Sequence, residues 1–135
     1  MAFFTQACAV NVVYGHAWAG RIKLPVVAGA GAPALELPGL QVPLEPHDLP
    51  TFLTETSDYP AYLNLVLKQF DGLDAADHAL INSYELQPQE SEYMTSTWRI
   101  KTVGPTVPSA YLDKRLPNDR SYGFQLHDPV TTTRS

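Results

Sequence analysis

Ala2-Phe3-Phe4-Thr5, a two-residue connector, then Cys8 through Gly20: this opening stretch decides the fold class. Its first four residues are a short apolar, aromatic run and read as a buried strand. From Cys8 onward the apolar positions Ala9, Val12, Val13 and Ala17 recur at helical spacing, and Gly20 supplies a stop. A strand leading directly into a helix is half of a βαβ unit, and the pattern returns downstream. Tyr59, Tyr62, Leu63, Val66, Phe70 and Leu73 make one apolar stripe at steps of three and four. A helix is predicted there, capped by Ser57 or Asp58 and with Pro60 in its first turn. Ala79-Leu80-Ile81 reads as a second strand ending at Asn82-Ser83. Residues 88 to 97 read as a helix begun by Pro88, and Ile100 to Val103 as a third strand closed by Gly104-Pro105. Strands alternating with helices predict an α/β chain built on a parallel sheet.

Between the first helix and the stripe lies a different kind of sequence. Pro25, Pro33, Pro38, Pro43, Pro46 and Pro50 fall among Gly29, Gly31 and Gly39, which excludes regular structure and predicts an ordered surface loop. Beyond Tyr111, charged residues with Pro and Gly suggest loop and linker. The 135 residues suit one domain, and 44% apolar residues can supply its core. A net charge of -5, with nine basic residues mostly scattered singly, argues against a nucleic-acid partner. No run approaches ~20 apolar residues, so no membrane span is expected. Ala17-Trp18-Ala19 mimics a signal-cleavage site, but Gln6, Asn11 and His16 interrupt the apolar stretch and no basic residue precedes Arg21.

The candidate chemistry is thin. Gly29-Ala-Gly31-Ala-Pro-Ala34 fits a G-x-G-x-x-A dinucleotide fingerprint in letters, but Pro38 and Gly39 stop any helix that would present amides to a pyrophosphate. His16, His47, His78 and His127 pair with no ligand at metal spacing, so no metal site is expected. His16 reads as a hydrogen-bonded structural histidine, and Cys8 as a packed, inert thiol. Asp74, Asp77, Glu85, Glu90 and Glu92 form no acid–base pair and read as a solvated face. From residues alone the reading stops at an acidic α/β domain with no catalytic set.

The wording of several segments goes further. Ala2-Phe-Phe-Thr-Gln-Ala-Cys-Ala-Val-Asn11 resembles the strand-to-helix junction in the amino-terminal domain of plant UDP-glycosyltransferases. Leu37-Pro-Gly-Leu40 and Pro43-Leu-Glu-Pro-His-Asp-Leu-Pro50 resemble that family's proline-rich loop. Tyr59-Pro-Ala-Tyr62 with Val66-Leu-Lys-Gln-Phe70 is similar to its acceptor-bordering helix. Ala76-Asp77 and Leu80-Ile-Asn-Ser83 resemble the next strand, and Thr102 to Arg115 the stretch before the interdomain linker. The resemblance runs in order from residue 2 to about 129.

It implies part of a GT-B enzyme: a partial Rossmann-like parallel sheet from the amino-terminal domain, with residues 1–129 an incomplete acceptor-binding domain and 130–135 the start of a linker. It also implies glucose transfer from UDP-glucose to small aromatic carboxylic acids or phenols, by inverting displacement with a histidine base and an orienting aspartate. The UDP-sugar would be a co-substrate, no cofactor or metal would be required, and the location would be cytoplasmic. The segments carrying the histidine, the aspartate and the UDP-gripping box have no counterpart here, so no catalytic residue is assigned and the chain is expected to be inactive alone. Two positions carry over: Thr5 as a donor-sugar contact, against a simple helix cap, and Tyr62 as an acceptor-site residue, against an ordinary core aromatic. The competing readings are a non-catalytic binding module for small molecules or a protein partner, and a truncated gene product.

Overall fold

The computed structural model describes residues 1–27, 29, 31–83 and 88–104. Three short strands, β1 (Ala2–Phe4), β2 (Ala79–Asn82) and β3 (Ile100–Val103), pair in parallel in the order β1-β2-β3. Four helices connect them: α1 (Cys8–Trp18), α2 (Thr51–Thr54), α3 (Pro60–Lys68) and α4 (Pro88–Trp98). The alternation read from the sequence is therefore present, and the fold is α/β on a parallel sheet.

Register shows where the core lies. Ala2 pairs with Ala79 and Ala79 with Ile100, while Phe4 pairs with Ile81. Alternate strand residues share a face, so Phe4, Ala79, Ile81 and Ile100 point together into the core. The opposite face carries Phe3, which is 48% exposed, and exposed Lys101. The strand around Phe3 is thus buried on one side rather than throughout. Phe70 gathers the aromatic part of the core, its ring centroid 5.4 Å from Phe4, 5.9 Å from Trp18 and 5.2 Å from Trp98. Such pairs contribute about 0.5–1.5 kcal/mol each beyond their buried area.

α1 is buried at every residue from Asn11 to Ala17. Gly15 lets it lie against α4, since a Cβ there would overlap the Trp98 ring. α3 begins at Pro60 as expected but ends at Lys68, short of the predicted Leu73. Its last turn tightens: the Phe70 and Asp71 amides donate to Leu67 and Lys68, three residues back, which turns Phe70 inward. Neither predicted cap is used. Ser57 Oγ donates to Asp58 Oδ1 at 3.1 Å, and Tyr59 takes the cap position without a side-chain bond.

The proline-rich stretch is loop for most of its length, with two departures from the expectation. A backbone bridge joins Leu35 to Leu44, and a single 3-10 turn at Pro46–Asp48 is closed by a reciprocal capping box between Glu45 and Asp48. α2 follows at once and has no counterpart in the sequence reading. No helix among the described residues is long and apolar enough to cross a membrane. Glu85, His127, the stretch from Pro105 to Arg115 and the linker at 130–135 lie outside the described residues.

Candidate functional site

In an open parallel sheet, ligands gather beyond the carboxyl ends of the strands, where the following helices begin. Thr5 stands there, one residue past β1. It is exposed and its hydroxyl has no hydrogen bond among the described residues. The alternative role as helix cap is excluded, because α1 is capped at Ala7 with no side-chain bond. The junction is fastened from inside the helix instead. Buried Asn11 donates through Nδ2 to the carbonyls of Gln6 at 2.9 Å and Ala7 at 3.2 Å. The connector is thereby fixed while Thr5 stays open to a ligand.

The same edge carries a cavity of about 540 Å³, between the first two turns of α1, the stretch from Leu40 to Thr51, and the first turn of α4. That volume lies in the range of small-molecule pockets, roughly 300–1,000 Å³. Ala9, Val10, Val13, Leu40, Leu44 and Leu49 give it an apolar wall. Gln89 Nε2 donates to the Leu40 carbonyl at 3.2 Å and ties the loop to α4.

Glu90 belongs to the wall of this cavity and is buried, which corrects its reading as part of a solvated face. It is 4% exposed, and its Oε2 is buried without a hydrogen-bond partner among the described residues. The other carboxyl in the wall, Asp48, is exposed and already accepts the Glu45 amide at 3.0 Å. The local signal for Glu90 was its spacing of four from Met94. Both are buried, so they share the inner face of α4.

Tyr62 is 58% exposed, so it is no core aromatic. It stacks on Phe52 at 5.8 Å with ring planes 3° apart, and Tyr59 stands edge-on to both. The three rings make a surface platform. It adjoins the cavity through the chain, since Pro50 and Thr51 line the wall and Phe52 comes next. Tyr62 itself does not line it.

His16 is fully buried, as its structural reading requires. Its Nε2–H donates to the Pro38 carbonyl at 2.7 Å, and its Nδ1 accepts from Arg21 at 3.1 Å. Arg21 also donates to the Tyr93 hydroxyl at 3.0 Å. Burial holds the imidazole below its ordinary range; the Pro38 bond opposes this and the Arg21 charge adds to it. With both nitrogens committed, His16 is not placed to take a proton from a substrate. Cys8 is buried and unpaired. Among the described residues no three His, Cys, Asp or Glu side chains group as metal ligands.

No family model matches the chain. The curated proteins similar to it include a UDP-glucosyltransferase, UGT13248, of Hordeum vulgare, 50% identical over 127 residues. They also include crocetin glucosyltransferase 2 of Crocus sativus, 46% identical over 135 residues. These alignments cover 93% and 98% of this chain but 26% and 28% of those proteins, so the chain spans about a quarter of the relatives it matches. Among solved structures, Os79 of O. sativa in complex with UDP superposes with a TM-score of 0.71 at 45% identity, covering 83% of this chain and 26% of that one. Os79 has also been solved with UDP and deoxynivalenol-3-glucoside, and with trichothecene.

Proposed function

We infer that this chain, which is homologous to plant UDP-glycosyltransferases over nearly its whole length, forms the acceptor-side wall of a sugar-transfer cleft. Residues 1–129 act as the acceptor-binding Rossmann-like part and 130–135 begin a linker. The acceptors are small aromatic carboxylic acids or phenols. The observation that carries this reading is the open carboxyl edge, where a Thr5 hydroxyl without a hydrogen bond among the described residues and a cavity of about 540 Å³ lie on the side that ligands use in such sheets.

Transfer runs as a displacement. The acceptor oxygen loses its proton to a base and attacks the anomeric carbon of UDP-glucose, and UDP leaves with the bond electrons. Thr5 donates a hydrogen bond to a sugar oxygen. Tyr62 and the rings beside it border the acceptor. His16 is locked to Pro38 and Arg21 and is not that base, which we assign to a part of the protein outside the described residues. The chain alone is therefore inactive, and as a whole-protein setting we propose a cytoplasmic one. A second reading, a binding module without transfer, would draw on the same cavity of about 540 Å³.

The test is a graft of this chain into the corresponding stretch of the rice enzyme, assayed with UDP-glucose and competing UDP-sugars. Thr5→Val removes the hydroxyl and keeps the shape, with an expected loss of about 0.5–1.5 kcal/mol concentrated in sugar selectivity. An equal loss with every donor, or a change only in acceptor choice, contradicts the assignment.

A further inference from the structure

We propose that Gly39 and Tyr93 together fix the width of this cavity, which makes Tyr93 a positioning residue that selects ligands by size. The loop side of the cavity begins at Leu40. Pro38, Gly39 and Leu40 are consecutive, and each is fastened to a different side chain. The Pro38 carbonyl accepts from His16 Nε2 at 2.7 Å, Gly39 lies against the Tyr93 ring, and the Leu40 carbonyl accepts from Gln89 Nε2 at 3.2 Å. His16 belongs to α1, Gln89 and Tyr93 to α4. The loop is therefore pinned to both helices just where it starts to line the cavity.

Of these pins, the middle one depends on residue type. Gly39 has a left-handed φ of +88°, and a Cβ there would overlap the Tyr93 ring. Any side chain at 39 strains the backbone and lifts the loop from α4, one residue before Leu40. Tyr93 is itself held in place. Its hydroxyl accepts from Arg21 Nη1 at 3.0 Å, its ring stands edge-on to Trp98 at 5.6 Å, and it leans on the His16 ring at 5.5 Å. Arg21 also donates to His16 Nδ1 at 3.1 Å, so His16, Arg21 and Tyr93 brace one another. Closely packed side chains pass a displacement on instead of absorbing it. The gap between Leu40 and the α1 side of the cavity, at Val10 and Val13, is thus fixed by the Gly39–Tyr93 contact. An apolar cavity of fixed width discriminates by steric overlap, against ligands one ring too large. The inference rests on the acceptor reading above and adds a size limit to it.

The experiment is equilibrium dialysis of the full 135-residue chain with 2-naphthol and 2-anthrol, two phenols that differ by one ring, beside urea unfolding of each variant. The readout is the ratio of the two dissociation constants. A purely structural role lowers the folded fraction, which weakens both probes alike and leaves that ratio unmoved. Gly39→Ala pushes Leu40 outward and should shift the ratio about tenfold toward 2-anthrol. Tyr93→Leu removes the ring without straining the loop backbone, leaves Leu40 slack and should shift the ratio the same way by a smaller factor. It decides the matter if Gly39→Ala does not fold. Val10→Phe fills the cavity from the α1 side and should weaken both probes. A ratio that stays unchanged, or moves toward 2-naphthol, in either folded variant overturns this inference alone, provided that Val10→Phe weakens binding. Unchanged binding in Val10→Phe places the probes outside the cavity and removes the acceptor reading and this inference together.

Discussion

Two helices of this chain carry opposite messages. α3 has the cleaner apolar stripe, yet none of its residues is buried. α1 has the weaker periodicity, yet Asn11 through Ala17 are all inaccessible. A helix with one apolar stripe packs by that stripe and shows its other side to water, whereas a helix enclosed on every side has no need of a polar face. So the element that was easiest to recognise is peripheral. The element that organises the molecule is the one whose pattern was dull. α1 lies against α4 through Gly15 and is gripped by the proline-rich loop through His16 and Pro38. α3 presents Tyr62 and Leu65 outward, at 58% and 65% exposure, Tyr62 although it belongs to the stripe.

The contrast predicts a gradient of mutational cost. Gly15→Ala on α1 forces a methyl group into the Trp98 ring, and the overpacking should cost about 1–3 kcal/mol. Thermal or urea unfolding of the variant measures it, and an unchanged midpoint would mean that α1 and α4 are not in close contact.

His16 adds a pH dependence to the same region. Its folded value lies below the ordinary imidazole value of about 6.5, so the unfolded chain binds more protons between the two values. Stability from this group is full above pH ~6.5 and is lost as the pH falls through the folded value. Replacing it by Gln should flatten that part of the profile. A profile that keeps its slope would move the titration to another group.

On α3 the expectation reverses. Tyr62→Ala should change stability by no more than about 0.5 kcal/mol, as exposed positions do, yet weaken aromatic acceptor use in the rice graft by about 0.5–1.5 kcal/mol. Lost stability with an unchanged acceptor profile would return Tyr62 to a packing role.

Much of the fold was legible because it is local. All three strands, α1 and α4 follow from apolar runs and breakers a few residues apart, and Pro60 and Pro88 open their helices where Pro is tolerated. What the sequence hid depends on contacts across the chain. Glu90 looked like a solvated acid because its burial comes from the loop around Leu40, fifty residues earlier, folding onto α4. Ser57 and Asp58 looked like caps, but they bond each other. Thr5 as cap and Tyr62 as core were both reasonable local readings, and each failed against placement: Ala7 holds the cap, and the Tyr62 ring lies on the surface against Phe52.

The central claim is that this chain provides the wall on which an acceptor sits and not the group that deprotonates it. A positioned base is worth about 10²–10⁴ in rate, and alignment of donor and acceptor up to ~7–11 kcal/mol; His16, held by Pro38 and Arg21, is not placed to be that base. Purified chain is incubated with labelled UDP-glucose and a panel of phenols and aromatic carboxylic acids, and product is followed by chromatography over hours. The account predicts no glucoside. Glucoside formation that follows the chain through purification and disappears in His16→Ala would contradict it, and would give His16 the proton-accepting role that its bonds to Pro38 and Arg21 deny it.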